Sequence, residues 1–261
     1  MGEMALQHFI ELPVSMCELE KVSKDALAFY SITSYATSEL NVIARVLLAC
    51  LHPLEKETAI NAAGFIQSSC VTRMWTLKLF ELYDCVEGIG HGKSTQNREV
   101  SQVALKAVTS FEHLKSDDGF NLARAIRHEA TGHYSLNAAR KNLDFVDSKA
   151  MATLYTQKRS GNSFYPFGEE VMFVGRLNRF GKDFPSDGQR RELVNTLLEW
   201  NKLANGWAHD LHTMVFNQLI APHLKNPSKR KRSYWVSPEK VGELKDFNVP
   251  LFSSSKLEST P

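Results

Sequence analysis

The chain has 261 residues, 31 Lys and Arg against 29 Asp and Glu for a formal charge of +2, 43% hydrophobic residues, 14 Gly and 9 Pro. This composition excludes collagen-like, disordered and strongly acidic classes, and the length fits one large domain or two small ones, either able to bury a sizeable core. Near-neutral charge argues against a nucleic-acid binder that uses its whole surface, while leaving room for a local basic patch.

Residues 1–15 carry no basic segment followed by an apolar block, and Leu6 stands where a myristoylation signal wants Ser or Thr, so the mature chain is expected to begin here. Cys17, Cys50, Cys70 and Cys85 form no C-x-x-C pair, and the last three lie in apolar helical patterns. They read as reduced core thiols of a cytoplasmic protein. The apolar stretch Val42–Leu51 is interrupted by Arg45 and is too short for a bilayer of about 30 Å, so no membrane role is expected.

Leu40, Ile43, Leu47 and Leu51 recur three and four residues apart and predict a helix that Pro53 stops. A longer helix follows from about Thr58 to Ile89, with Val71, Trp75, Leu79, Leu82, Val86 and Ile89 in one stripe and Gly88, Gly90 and Gly92 at its end. Val100, Ala104, Ala107, Phe111 and Leu114 make a third. Asp117 or Asp118 can cap a fourth, which starts near Phe120 and carries Leu122, Ile126 and Ala130 on one face. Near residues 151–167 the period changes, and Ser160-Gly161-Asn162-Ser163 between Tyr155 and Phe164 predicts a short β-hairpin that Pro166 limits. After Asp187-Gly188, Leu193, Leu197, Trp200, Ala204, Trp207, Leu211 and Met214 define the cleanest amphipathic helix, ending near Pro222.

The predicted fold class is therefore all-α, a multi-helix bundle with a small β-hairpin insertion. Residues 1–24 read as an N-terminal extension, 25–225 as the helical domain and 226–261 as a basic, irregular tail.

Several apparent motifs fail on spacing. Gly88-Ile89-Gly90-His91-Gly92-Lys93-Ser94 misses the phosphate-loop pattern by one residue and follows a helix rather than a strand, so it reads as a helix terminator. His128 and His133 are five residues apart, about 140° round a helix, whereas a zinc-protease pair needs four. His209 and His212 lack a third ligand at sensible spacing, and no metal or cofactor is expected. Glu169 and Glu170 are adjacent and point apart, unlike a glycosidase pair.

Arg127, His128 and His133 remain, a permanent cation and two imidazoles within seven residues. An imidazole with pKa near 6.5 can remove a proton from a ribose 2′-hydroxyl or deliver one to a leaving 5′-oxygen, and a guanidinium can hold the non-bridging phosphate oxygens. RNA is the substrate class this kit fits. His133 also falls within about 20° of Leu122 on an ideal helix, where it would be a core histidine, and Arg127 falls about 120° from His133. Distortion at Gly132, or a two-fold dimer whose motifs meet in one cleft, would supply the convergence.

Ile126-Arg127-His128-Glu129-Ala130-Thr131-Gly132-His133-Tyr134 resembles the hallmark motif of the HEPN superfamily: Arg, a polar residue, a few residues, then His. The resemblance implies an all-α, homodimeric, metal-independent ribonuclease of the toxin or antiviral defence kind, with Arg127 and His133 as catalytic pair and His128 as supporting polar residue. It also implies a neutralising or regulatory protein partner as a possibility for such toxins, and that silent members serve as RNA-binding or protein-interaction modules. Arg124 beside the motif, and Lys229, Arg230, Lys231 and Arg232 in the tail, are candidate phosphate contacts, with Tyr234 or Trp235 available to stack on a base.

Overall fold

The computed structural model describes residues 8–131, 135–150, 152–156, 162–182, 186–236 and 249–252. The fold is an all-α bundle, as the apolar periodicity predicts, with a small antiparallel β element. In chain order the elements are β1 (His8–Glu11), α1 (Met16–Leu19), α2 (Lys24–Ala49), α3 (Thr58–Gly90), α4 (Arg98–Lys115), α5 (Asp118–Ile126), α6 (Leu136–Leu143), α7 (Pro166–Glu169), α8 (Gly175–Phe180), α9 (Asp187–Val215) and β2 (Arg232–Trp235). Three π-helical segments, Arg127–Thr131, Glu170–Val174 and Phe216–Ile220, continue α5, α7 and α9. Among the described residues no helix is long and apolar enough to cross a membrane.

The helices end where side-chain chemistry ends them. α3 closes in a left-handed turn at Gly92 (φ 69°), with the Lys93 N–H donating to Gly88 O and the Gly92 N–H to Ile89 O. This pair of bonds satisfies carbonyls that the helix leaves open, and the positive φ favours glycine there. The glycine run is thus a terminator, as its spacing predicts. Asp117 caps α5 by accepting from the Gly119 N–H at 2.8 Å, and Ser135 caps α6 by accepting from the Ala138 N–H.

The chain divides into two compact units, with α2, α3 and α9 each lending a stretch to both. The first unit, 1–41, 81–113 and 204–247, has an aromatic core: the Tyr83 ring stacks on Phe111 with centroids 4.3 Å apart, Trp207 meets Phe111 edge-on at 4.8 Å, and the Trp207 indole N–H donates to Ala107 O. Its sheet pairs β1 with β2 in the register Phe9 to Tyr234 and Glu11 to Arg232. The sequence reading has residues 226–261 irregular; Arg232–Trp235 is instead a strand, because His8–Glu11 supplies a partner that no local pattern can announce.

The second unit, 42–80, 114–203 and 248–261, is built round Trp200, which stacks on Phe80 at 5.3 Å, packs against Phe120 at 5.9 Å and donates its indole N–H to Leu114 O. Leu122 and Ile126 are fully buried here, as their spacing predicts. In the region read as a hairpin, Tyr155 and Phe164 form one antiparallel bridge with stacked rings, and Pro166 then starts α7. Residues 151 and 157–161, including the predicted turn glycine Gly161, lie outside the described residues.

Some core assignments need correction. Leu51 is exposed, because α2 ends at Ala49 and leaves it outside the helical face. Among the thiols read as core, Cys17 and Cys70 are exposed and Cys85 is half-buried, while Cys50 is buried; burial raises the Cys50 thiol, and the neighbouring Cys70 raises it further.

Candidate functional site

The Arg127 segment sits in the second unit at the end of α5. Its position is fixed at the start of that helix. A Cβ on Gly119 would come within 2.5 Å of Trp200 Cβ and 2.9 Å of Thr196 O, so only glycine allows α5 to lie this close to α9. Leu122, Ala123 and Ile126 then turn one face of α5 into the core, which leaves Arg124 and Arg127 on the others.

Both arginines lie over aromatic rings. The Arg127 guanidinium carbon is 5.9 Å from the Phe80 centroid, and that of Arg124 is 5.7 Å from Phe120. These distances fall at the edge of cation–π range. Arg124 is exposed, Arg127 half-buried and His128 exposed.

At Arg127 the winding changes from α to π over five residues. The bonds run i→i+5, so each residue turns through less than the α-helical 100° and the faces drift. Glu129 anchors this segment to α8. Its carboxylate pairs with Arg179 and lies 3.2 Å from Arg176 Nε, which has ion-pair distance without hydrogen-bond geometry. Burial pushes the Arg176 guanidinium below the ordinary arginine range, and Glu129 opposes that shift. One carboxylate thus serves two largely buried cations.

His133, with Gly132 and Tyr134, lies outside the described residues, as do the side chains of Ala130 and Thr131. Of the expected catalytic group the structure therefore places Arg127 and His128, on consecutive positions of one π segment.

The four tail cations belong to the first unit. Lys229, Lys231 and Arg232 are exposed. Arg230 is not available as a phosphate contact: it pairs with both carboxylate oxygens of Glu18 and donates to Pro13 O. The reason is local, because Ser15 and Glu18 form a capping box at α1 that presents the carboxylate. Glu18 is held down to about 2, first by Arg230 and then by the Ser15 backbone N–H. Tyr234 and Trp235 are exposed on β2.

The remaining histidines have structural neighbours. His209 Nε2 is 2.8 Å from Asn41 Oδ1, and His212 stacks on Tyr30 with Nδ1 3.3 Å from Thr33 Oγ1. Among the described residues no three His, Cys, Asp or Glu side chains cluster as metal ligands.

Sequence reasoning missed Glu129 as an anchor together with its partners Arg176 and Arg179. The only available signal was the three-residue spacing of the two arginines, which puts both on one helical face. No family model, no curated protein and no solved structure matches this chain.

Proposed function

We propose that the chain is a metal-independent endoribonuclease resembling HEPN toxins or antiviral defence nucleases, acting in the cytoplasm as a homodimer. What supports this most is the change of winding at Arg127–Thr131. On an unbroken α-helix, Arg127 and His133 would point about 120° apart and could not serve one phosphate. Over Arg127–Thr131 the winding is π rather than α, and such segments recur at functional sites. Arg124 and Arg127, three residues apart, are the guanidinium groups that would meet a phosphodiester.

In this reading His133 takes the proton of a ribose 2′-hydroxyl. The 2′-oxygen attacks phosphorus, and the bond to the 5′-oxygen breaks as that oxygen receives a proton. The products are a 2′,3′-cyclic phosphate and a 5′-hydroxyl. Arg127 holds the non-bridging oxygens and His128 supports them, while Lys229, Lys231 and Arg232 bind the strand elsewhere. A neutralising or regulatory protein would keep the activity in check.

The test is incubation of the purified chain with RNA in excess chelator. Cleavage to cyclic-phosphate ends is expected, with losses of at least about a hundredfold in Arg127→Ala and His133→Ala. Cleavage that stops on chelation, or is unchanged in both variants, overturns the reading. A second reading, a catalytically silent RNA-binding or interaction module, draws on Arg127 lying against Phe80, a contact that an arginine kept for packing would also make. It predicts RNA binding without cleavage.

A further inference from the structure

The sheet of the first unit is a ribbon of two strands, β1 and β2, with exposed side chains on both of its faces. Side chains alternate along each strand, so the register puts Phe9 directly opposite Tyr234 on one face, with Glu11 opposite Arg232 beside them. Ile10, Ser233 and Trp235 fall on the other face. Read locally, Tyr234 and Trp235 are equivalent candidates for stacking on a base. The register separates them and gives Tyr234 an aromatic neighbour from the opposite end of the chain. Phe9 is 51% exposed and Tyr234 60%, and directly opposed residues hold their Cβ atoms about 5 Å apart, so two open rings stand side by side.

The chain that leads into β2 is basic. Between His223 and Val236 it carries Lys225, Lys229, Arg230, Lys231 and Arg232 and no Asp or Glu. Arg230 is engaged by Glu18, and Lys225, Lys229, Lys231 and Arg232 are exposed. Arg232 shares the face of the two rings. Glu11 also lies on that face, where the Arg232 opposite offsets its charge.

Two open rings next to several cations fit a ligand that alternates flat π-faces with negative charges. A single strand of nucleic acid is built that way: its unpaired bases stack on aromatic rings, and the phosphates between them meet Lys and Arg. A duplex keeps the faces of its bases in its own stack and offers the phosphates alone. A lipid surface fits less well, because the apolar layer on this face is one cross-strand pair deep, with Glu11 and Arg232 directly beside it. An acidic peptide would use the cations and leave the rings in water. We propose that the face of this ribbon carrying Phe9 and Tyr234 is a stacking platform for single-stranded RNA, with Lys229, Lys231 and Arg232 along the phosphates. That the strand is RNA rests on the ribonuclease reading; the stacking itself does not. Every base has a π-face, so the platform takes unpaired nucleotides with little regard to sequence.

The experiment titrates the full chain into a fluorescein-labelled 2′-O-methyl RNA strand of about 12 nucleotides, which lacks the attacking hydroxyl, and reads anisotropy. The same sequence as a duplex and an abasic strand of equal length run beside it. Saturable binding of the single strand is expected, with duplex and abasic strand at least about tenfold weaker. Phe9→Val and Tyr234→Val remove a ring and keep strand propensity, and each should weaken the single strand about tenfold. Tyr234→Phe, which keeps the ring, and Ile10→Val, on the other face, should bind as the wild type does. Lys231→Gln should weaken single and abasic strands alike and flatten the salt dependence by about 0.7 in logarithmic slope. Amide protection over 232–235 shows that the ribbon is intact in each variant, and the abasic strand tests stacking with no variant at all. Equal affinity for the abasic strand or the duplex, wild-type affinity in Phe9→Val/Tyr234→Val, or no saturable binding overturns the proposal. Binding to phosphatidylserine vesicles that needs Tyr234, with strand binding that does not, gives the face to a lipid surface and overturns it too. Strand binding without cleavage of unmodified RNA keeps the platform and ends the cleavage reading; cleavage with unchanged KM in the double variant does the reverse.

Discussion

Arg230 and Glu18 lie 212 residues apart in sequence and form an ion pair beside the sheet of β1 and β2. A cation that reads locally as part of a nucleic-acid tail is therefore used to hold two distant segments of the chain together. Arg230→Ala should speed amide exchange over 232–235, measured by hydrogen–deuterium exchange, while exchange in α4 stays unchanged. The pH dependence has a defined sign. Glu18 is held down to about 2 from 4.5, so its contribution is present above about 4.5 and disappears as pH falls through about 2. Protection of β2 should fall over that window, and should not do so in Glu18→Gln.

Gly119 and Gly206 make a paired test of packing. A methyl at 119 meets Trp200 Cβ and the Thr196 carbonyl, so Gly119→Ala should cost about 1–3 kcal/mol in urea unfolding. Gly206 is interior to α9 and has nothing within 4 Å of its would-be Cβ. Gly206→Ala should stabilise the chain by about 0.5–1 kcal/mol through helix propensity. Equal effects at the two sites would mean that α5 does not pack closely on α9.

Arg73 pairs with Glu169, and both are largely buried, the Glu169 side chain being 10% exposed. Burial pushes the Glu169 carboxyl up and Arg73 only partly restores it. Arg73→Met leaves an unpaired buried acid and should cost about 3–5 kcal/mol at neutral pH. Because a raised acid binds its proton more tightly in the folded state, the folded protein should lose stability as pH rises through that pKa, more steeply in Arg73→Met than in the wild type. Unfolding measured at pH 5 and pH 8 tests this, and the double variant Arg73→Met/Glu169→Gln should recover most of the loss.

Glu129 is expected to matter more than its place between two catalytic candidates implies. Glu129→Ala leaves the largely buried Arg176 and Arg179 without their shared carboxylate and should cost about 2 kcal/mol or more. It should also reduce RNA cleavage while Glu129→Asp, which keeps the charge, restores part of it. Melting curves and a cleavage assay on the same preparations separate the two effects.

The long helices were legible because their cores are apolar and periodic: Trp75, Leu79, Leu82 and Val86 in α3, or Leu197, Trp200, Ala204, Trp207 and Leu211 in α9, are buried at the spacing a helix needs. The first half of α2 was not legible, since its core face carries Thr33 and Thr37. These are hidden by hydrogen bonds, Thr33 to Tyr30 O and Thr37 to Ala208 O, and a hydrophobic count passes over them. Short elements near 166–180 were missed for a related reason: Pro166, Gly168 and Gly175 read as breakers, and the buried Glu169 and Asn178 read as surface. In the site, Arg127 and His128 could be found from local chemistry, but Glu129 depends on Arg179, 50 residues away. Nothing local encodes the π winding, which arises where the chain fits one more residue into a turn than an α-helix accepts.

The pairing of His8–Glu11 with Arg232–Trp235 also sets a timetable for synthesis. While the ribosome adds the 212 residues that separate Glu18 from Arg230, the first strand has no partner and Phe9 and Ile10 have no sheet to join. The loop that must close between the two strands is long, so the sheet is a late step of folding. Until then that segment is an unpaired strand, open to pairing with a neighbouring chain.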